Sequence, residues 1–236
     1  MKKIYSFIIS MFLVMGTSVF AQNITTASAY FKSVSEYYGT LKDYEVDFEI
    51  KMDKQETAGV LSFKAPDLLR MDYTNPKEQV IVFNGDMLVI YLPGSAAVLQ
   101  QQVSSTGNAA TLATGQGLGL LSRYYTVAYE TGQNAEPLEE GSDEMVVKFI
   151  LSRKTASEAF RYIKIAVNPT SKLIRRIIAV TPKNEEFVLN FYDYKLNQNA
   201  FESVNAQYVG IVSNQGLVID HNTLPKPYGA TQLQTN

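Results

Sequence analysis

Few residues of this chain have the types needed for chemistry, and their spacing argues against each chemistry in turn. Gly115-Gln116-Gly117-Leu118-Gly119 looks superficially like a dinucleotide loop. No strand pattern precedes it, its third glycine comes too early, and no βαβ pattern surrounds it. A flexible joint between short helices accounts for it better. His221 is the single histidine and lies near Pro225 and Pro227 in a C-terminal loop, so no histidine metal cluster can form. With no Cys in the chain, disulfides, thiolate metal sites and a cysteine nucleophile are excluded as well. No Gly-x-Ser-x-Gly elbow, P-loop or zincin motif is present. Glu139-Glu140 with Asp143-Glu144 lacks the alternating oxygen spacing of a calcium loop and reads as a solvated charged loop. On a strand, Arg175 and Arg176 would point to opposite faces and make no patch. Arg70 alternates away from Leu69 and Met71 and is expected to pair with Asp72 or with a neighbouring strand.

The elements that position these residues follow from composition and period. The chain has 236 residues, 46% hydrophobic and 19% charged, enough for one sizeable core. Its 21 basic against 23 acidic side chains give a formal net charge of −2, so no basic surplus points to nucleic acid. Lys2 and Lys3, the apolar stretch Ile4 to Val14, and Val19-Phe20-Ala21 form a secretory signal pattern with small residues at the cleavage positions. Cleavage after Ala21 is expected, with retention as a membrane anchor the alternative. No Cys follows the signal, so the chain is not itself expected to be a lipoprotein. Residues 22–236 are expected to form one domain, soluble outside the cytoplasm, with 229–236 a frayed tail.

Thr25 or Thr26 can cap a helix running to about Tyr38, with Gly39 as its stop. From Glu45 the period becomes two. Val46, Phe48, Ile50 and Met52 share one side of a strand, Leu61 and Phe63 one side of the next, and Leu69, Met71 and Tyr73 one side of a third. Asn84-Gly85 between two apolar runs, the second carrying Leu88 and Ile90, is the strongest hairpin signal. Short helices are expected over Asn108 to Ala113 and Leu118 to Arg123, interrupted by Gly115, Gly117 and Gly119 and so intrinsically weak. Strands resume at Met145 to Ser152, Phe160 to Val167, Leu173 to Val180 and Glu186 to Tyr194. Val209 to Val212 and Leu217 to Ile219 can each add another. Short connections imply an antiparallel meander whose single inner face must be covered. The available covers are the N-terminal helix and the segment carrying Leu112, Leu118, Leu120 and Leu121. Such an arrangement is either an ordinary packed core or a container for an apolar ligand.

The run Gly59-Val-Leu-Ser-Phe-Lys-Ala-Pro-Asp-Leu-Leu-Arg-Met-Asp-Tyr73, followed by Asn75-Pro76 and Glu78 to Tyr91, resembles the LolA family of periplasmic lipoprotein carriers. Weaker agreement extends from the signal to Asn197 and Phe201. The resemblance implies a mainly β fold with an α lid: an unclosed antiparallel β-barrel, a strongly curved meander under the N-terminal helix and short mid-chain helices. It implies a periplasmic carrier, not an enzyme, whose cavity shields lipoprotein acyl chains between inner and outer membrane. On that basis Val46, Phe48, Ile50, Met52, Leu61, Phe63, Leu69, Met71, Tyr73, Leu88 and Ile90 are the expected lining, and Leu112, Leu118, Leu120 and Leu121 the expected lid. Some family members hold the lid with an Arg just before the proline, where this chain has Ala65, and Arg70 is a candidate for holding the lid or the turn. Transferring three acyl chains to water would cost on the order of 35 kcal/mol at about 0.8 kcal/mol per CH₂, so a carrier must replace most of that burial. The implied partners are acyl chains, an ATP-dependent lipoprotein-releasing complex of the inner membrane and, as a further candidate, an outer-membrane acceptor. A monomer without cofactor, metal or nucleic acid is expected. Two other readings are an envelope-stress sensor of related fold that binds a regulatory protein, and an extracytoplasmic hydrolase.

Overall fold

A computed structural model describes residues 25–198 apart from 67, 78, 84–86, 93–96 and 103–113, together with 212–213, 216–217 and 231–233. Helix α1 spans Ala27–Thr40, opened by the Thr26 side chain, which accepts from the Ala29 N–H at 3.2 Å. Gly39 does not stop it. The helix ends one residue later, where Leu41 turns extended and its N–H bonds the Tyr38 carbonyl. Phe31, Val34 and Tyr38 recur at helical spacing and are buried.

Six strands follow: β1 (Asp43–Met52), β2 (Gln55–Lys64), β3 (Leu68–Asn75), β4 (Val80–Phe83), β5 (Met87–Leu92) and β6 (Ala97–Gln102). Helix α2 is Gly115–Tyr124. Then come β7 (Tyr125–Tyr129), β8 (Glu136–Pro137), β9 (Met145–Arg153), β10 (Tyr162–Val167), β11 (Ile174–Val180) and β12 (Glu186–Leu196). Three short strands close the chain: β13 (Val212–Ser213), β14 (Gly216–Leu217) and β15 (Thr231–Leu233). One sheet carries the order β15-β6-β5-β4-β3-β2-β1-β12-β11-β10-β9-β7, with β8 beside β9. Every pairing is antiparallel except β15 on β6, which is parallel. This is the expected curved, unclosed antiparallel sheet with helical cover. No helix of the described residues is long and apolar enough to cross a membrane.

The chain departs from expectation in definite places. The three glycines of 115–119 lie inside one continuous helix and do not interrupt it. Strands β6 and β7, which lie on either side of the two expected short helices, were not among the expected strands. Phe160 precedes β10, which begins at Tyr162. The expected 209–212 and 217–219 strands are the two-residue pair β13 and β14. Thr231–Leu233 pairs with Ala97 to Leu99, so part of the tail is a sheet strand. The Asn84-Gly85 turn lies outside the described residues, but the strands flanking it pair with Phe83 opposite Leu88. The helix expected at 108–113 and its Leu112, like His221, also lie outside.

Candidate functional site

Alternation and register assign the concave face. On β1 it carries Tyr44, Val46, Phe48, Ile50 and Met52, and Val46 pairs with Leu61 of β2. Leu61 continues through Met71 and Ile81 to Ile90, and Phe63 through Leu69 and Phe83 to Leu88. On the other side of β1, Ile50 lies opposite Leu189 and Met52 opposite Phe187. Gly59 faces Phe48 where the β2–β3 register shifts. A methyl there would run into the Asp72 carbonyl, so only glycine fits.

Burial divides this face into two zones. Tyr44, Val46, Phe48, Leu61, Phe63, Leu69 and Phe83 are each at most 4% exposed and form one core with Phe31, Val34 and Tyr38 of α1. Toward the other ends of these strands, and on the neighbouring β5 and β12, Ile50, Met52, Met71, Tyr73, Ile81, Leu88, Ile90, Phe187 and Leu189 are only half-buried. Tyr73 stands edge-on to Phe48 at 5.1 Å, at the border of the two zones. Contiguous, incompletely covered apolar surface is where proteins contact partner proteins, membranes or apolar ligands. Of the expected lining residues, the structure puts Val46, Phe48, Leu61, Phe63 and Leu69 in the packed core. Ile50, Met52, Met71, Tyr73, Leu88 and Ile90 stand in the open zone.

Helix α2 is more firmly seated than its glycine content suggests. Leu118 is fully buried and Leu121 is 7% exposed, both within the core, while Leu120 is half-buried. Thr114 caps the helix by accepting from the Gly117 N–H at 2.9 Å. Ser35 of α1 donates its hydroxyl to the Gly115 carbonyl at 2.8 Å. At the other end, the Lys154 ammonium donates to the Ser122 and Arg123 carbonyls at 3.0 and 3.1 Å, where the helix dipole favours a cation.

Several polar groups hold the sheet and helix α1 together. A ring of hydrogen bonds runs from the Ile174 N–H to the Tyr38 hydroxyl at 2.9 Å, on to the Tyr194 hydroxyl at 3.1 Å, and back to the Ile174 carbonyl at 2.9 Å. Burial pushes Tyr38 up to about 12, so its phenol stays neutral and supplies no base. Arg70 lies on the convex face, 4% exposed, and clasps Asp72 of its own strand with two bonds of 2.6 and 2.5 Å. It thus points away from the side on which α1 and α2 pack. Arg175 and Arg176 do not split between faces. A register shift on β11 lets both reach the acidic loop, Arg175 to Glu144 and Arg176 to Glu139 at 2.9 Å. That loop is ion-paired where solvation alone was expected. No cluster able to hold a metal ion occurs among the described residues.

With this geometry in view, the chain is similar to proteins of known class. A family model described as outer membrane lipoprotein carrier protein LolA matches residues 45–204. The outer-membrane lipoprotein carrier protein of Pseudomonas paraeruginosa is 27% identical over 146 residues, 61% of this chain and 64% of that protein. The match therefore spans less than two thirds of that relative's length. The carrier protein of Haemophilus ducreyi is 28% identical over 166 residues, 66% of this chain and 72% of that one. Among solved structures, the complex structure of Pseudomonas aeruginosa MucA/MucB shares the fold. Its TM-score is 0.50 at 11% identity, covering 76% of this chain and 60% of that one.

Proposed function

This chain belongs to the outer membrane lipoprotein carrier protein LolA family, and we propose that it is a periplasmic carrier that shields lipoprotein acyl chains between the two membranes. The observation that carries this reading is the half-buried apolar zone formed by Ile50, Met52, Met71, Tyr73, Leu88 and Ile90 on an otherwise packed concave face. An acyl chain laid there would exchange water for hydrocarbon contact at about 0.8 kcal/mol per CH₂. Because the neighbouring zone is already filled by α1, cargo enters from the open end and stops at Phe48 and Tyr73. Leu118, Leu120 and Leu121 cover the inner side as the lid. Export by the N-terminal signal, with cleavage after Ala21, brings the chain to the periplasm. There it takes cargo from an ATP-dependent releasing complex of the inner membrane and passes it to an outer-membrane acceptor.

Mass spectrometry of lipid extracted from gently purified protein tests this. Diacyl- or triacyl-modified lipopeptides in the extract are the expected result. An extract free of any acylated species, from protein purified out of a cell making lipoproteins, contradicts the proposal.

A further inference from the structure

Ion pairing divides the basic side chains of the sheet by position. On β9 to β12, Lys148, Lys164, Arg175, Arg176 and Lys195 each meet a carboxylate. Where β9 gives way to β10, beside the C-terminal end of α2, this stops. Arg123, Arg153, Lys154 and Arg161 gather there, and among the described residues none of the four is ion-paired. They form one corner. The Lys154 ammonium donates to the Arg123 carbonyl at 3.1 Å, the Lys154 N–H to the Tyr124 carbonyl at 3.0 Å and the Arg153 N–H to the Arg161 carbonyl at 3.2 Å. Arg123, Lys154 and Arg161 are exposed. Glu158 is the single acidic residue of 153–161, and it accepts from the Thr155 hydroxyl at 2.9 Å.

Aromatic rings stand among these charges. Phe160, half-buried, meets Phe187 of the open zone edge-on at 6.4 Å, so the corner adjoins that zone directly. The Arg161 guanidinium lies over the Tyr162 ring at 5.3 Å, and Tyr124 is half-buried against the core. The opposite ends of β7 and β9 carry the other sign. Residues 130–144, which join them there, hold six acidic residues and no basic one. Four of the six meet Lys148, Lys164, Arg175 and Arg176, which leaves Glu140 and Asp143, both exposed. An anionic surface is therefore drawn to one end of these strands and repelled from the other, which sets orientation as well as contact.

We infer that the Arg123–Arg153–Lys154–Arg161 corner docks the protein on a bilayer with anionic headgroups, with the open zone turned toward the lipid. The inference rests on the reading of that zone as the cargo site. Cations at such a surface attract lipid phosphates, and rings interleaved with them suit the boundary between headgroup and hydrocarbon. An acidic protein would match the charges but not the rings. Docked in this way, the open zone takes up or releases an acyl chain at the surface, without a passage through water.

Co-sedimentation of the purified protein with vesicles tests this. Binding is expected to vesicles of phosphatidylcholine mixed with phosphatidylglycerol, weakening at high salt, and not to phosphatidylcholine alone. Arg123→Gln combined with Arg161→Gln should weaken it at least about tenfold. Lys42→Gln combined with Lys64→Gln removes the same charge from exposed positions at the other end of the strands and should leave binding as in the wild type. Equal binding by the two double variants, equal binding to the two vesicle types, or no binding by the wild type overturns the docking. Binding to a soluble acidic peptide but not to the anionic vesicles overturns it in favour of a protein partner. The vesicle measurement needs no cargo, so a protein that docks yet holds no lipopeptide refutes the carrier reading and leaves the docking supported.

Discussion

Gly115 and Gly39 meet backbone to backbone: a methyl group on the Gly115 Cα would lie 2.5 Å from the Gly39 nitrogen and 2.8 Å from its Cα. With the Ser35 hydroxyl bonded to the Gly115 carbonyl, this contact makes α1 and α2 one packed pair. The glycines cost the isolated helix about 1 kcal/mol each relative to Ala, and at Gly115 that cost admits the neighbouring helix. A lid built from α2 therefore opens either with α1 or by breaking this seam.

Substitution at the two seam glycines should diverge. Gly115→Ala forces backbone apart and should destabilise the protein by about 1–3 kcal/mol, with faster amide exchange over residues 115–124. Gly119→Ala places its methyl 3.4 Å from the Ser35 hydroxyl, an ordinary contact, and should stabilise by up to about 1 kcal/mol. Urea denaturation of both variants measures this. Equal effects would show that the seam is not where the two helices are held.

The Tyr38 ring gives an alkaline signature. Its folded-state value is raised from 10.0 to about 12 by burial, so the stability it contributes is intact below pH 10 and is lost as pH rises from 10 toward 12. Tyr38→Phe should leave the Ile174 N–H unpaired, costing about 1–3 kcal/mol, and should flatten part of that alkaline slope. Denaturant melts of wild type and variant from pH 8 to 11.5 read both effects. An unchanged slope in the variant would show that Tyr38 ionisation does not drive the alkaline loss.

Most of the sheet was legible because its inward residues alternate cleanly. Val46-Phe48-Ile50 and Leu61-Phe63 name their face without a structure, and alternation puts Arg70 on the other one, where of the two partners open to it in sequence it takes Asp72. Ala97–Gln102 and Tyr125–Tyr129 went unread as strands. The first ends in three glutamines with no alternation, and the second is five residues long and directly follows the last residues of the expected helix. The division of the concave face was not legible either. Alternation tells which face a side chain takes but not how far along the strand the helix reaches. Phe48 and Ile50 look equivalent in sequence, yet one is core and the other only partly buried. The glycines of α2 misled for a related reason: helix propensity is local, whereas their use at the α1 seam depends on a residue some eighty positions away.

The most direct test of the carrier account is the affinity of the purified protein for a fluorescent triacylated lipopeptide, compared between wild type and Met71→Glu. Met71 is half-buried in the open zone, so a carboxylate there can stay hydrated in the empty protein but would be stripped of water by an acyl chain. The account predicts binding that weakens by at least about tenfold, or 1.4 kcal/mol, with little loss of fold stability. Glu56→Gln, an exposed position on β2, should bind as wild type does. Undiminished binding by a folded Met71→Glu protein, or no binding by the wild type, would contradict the account.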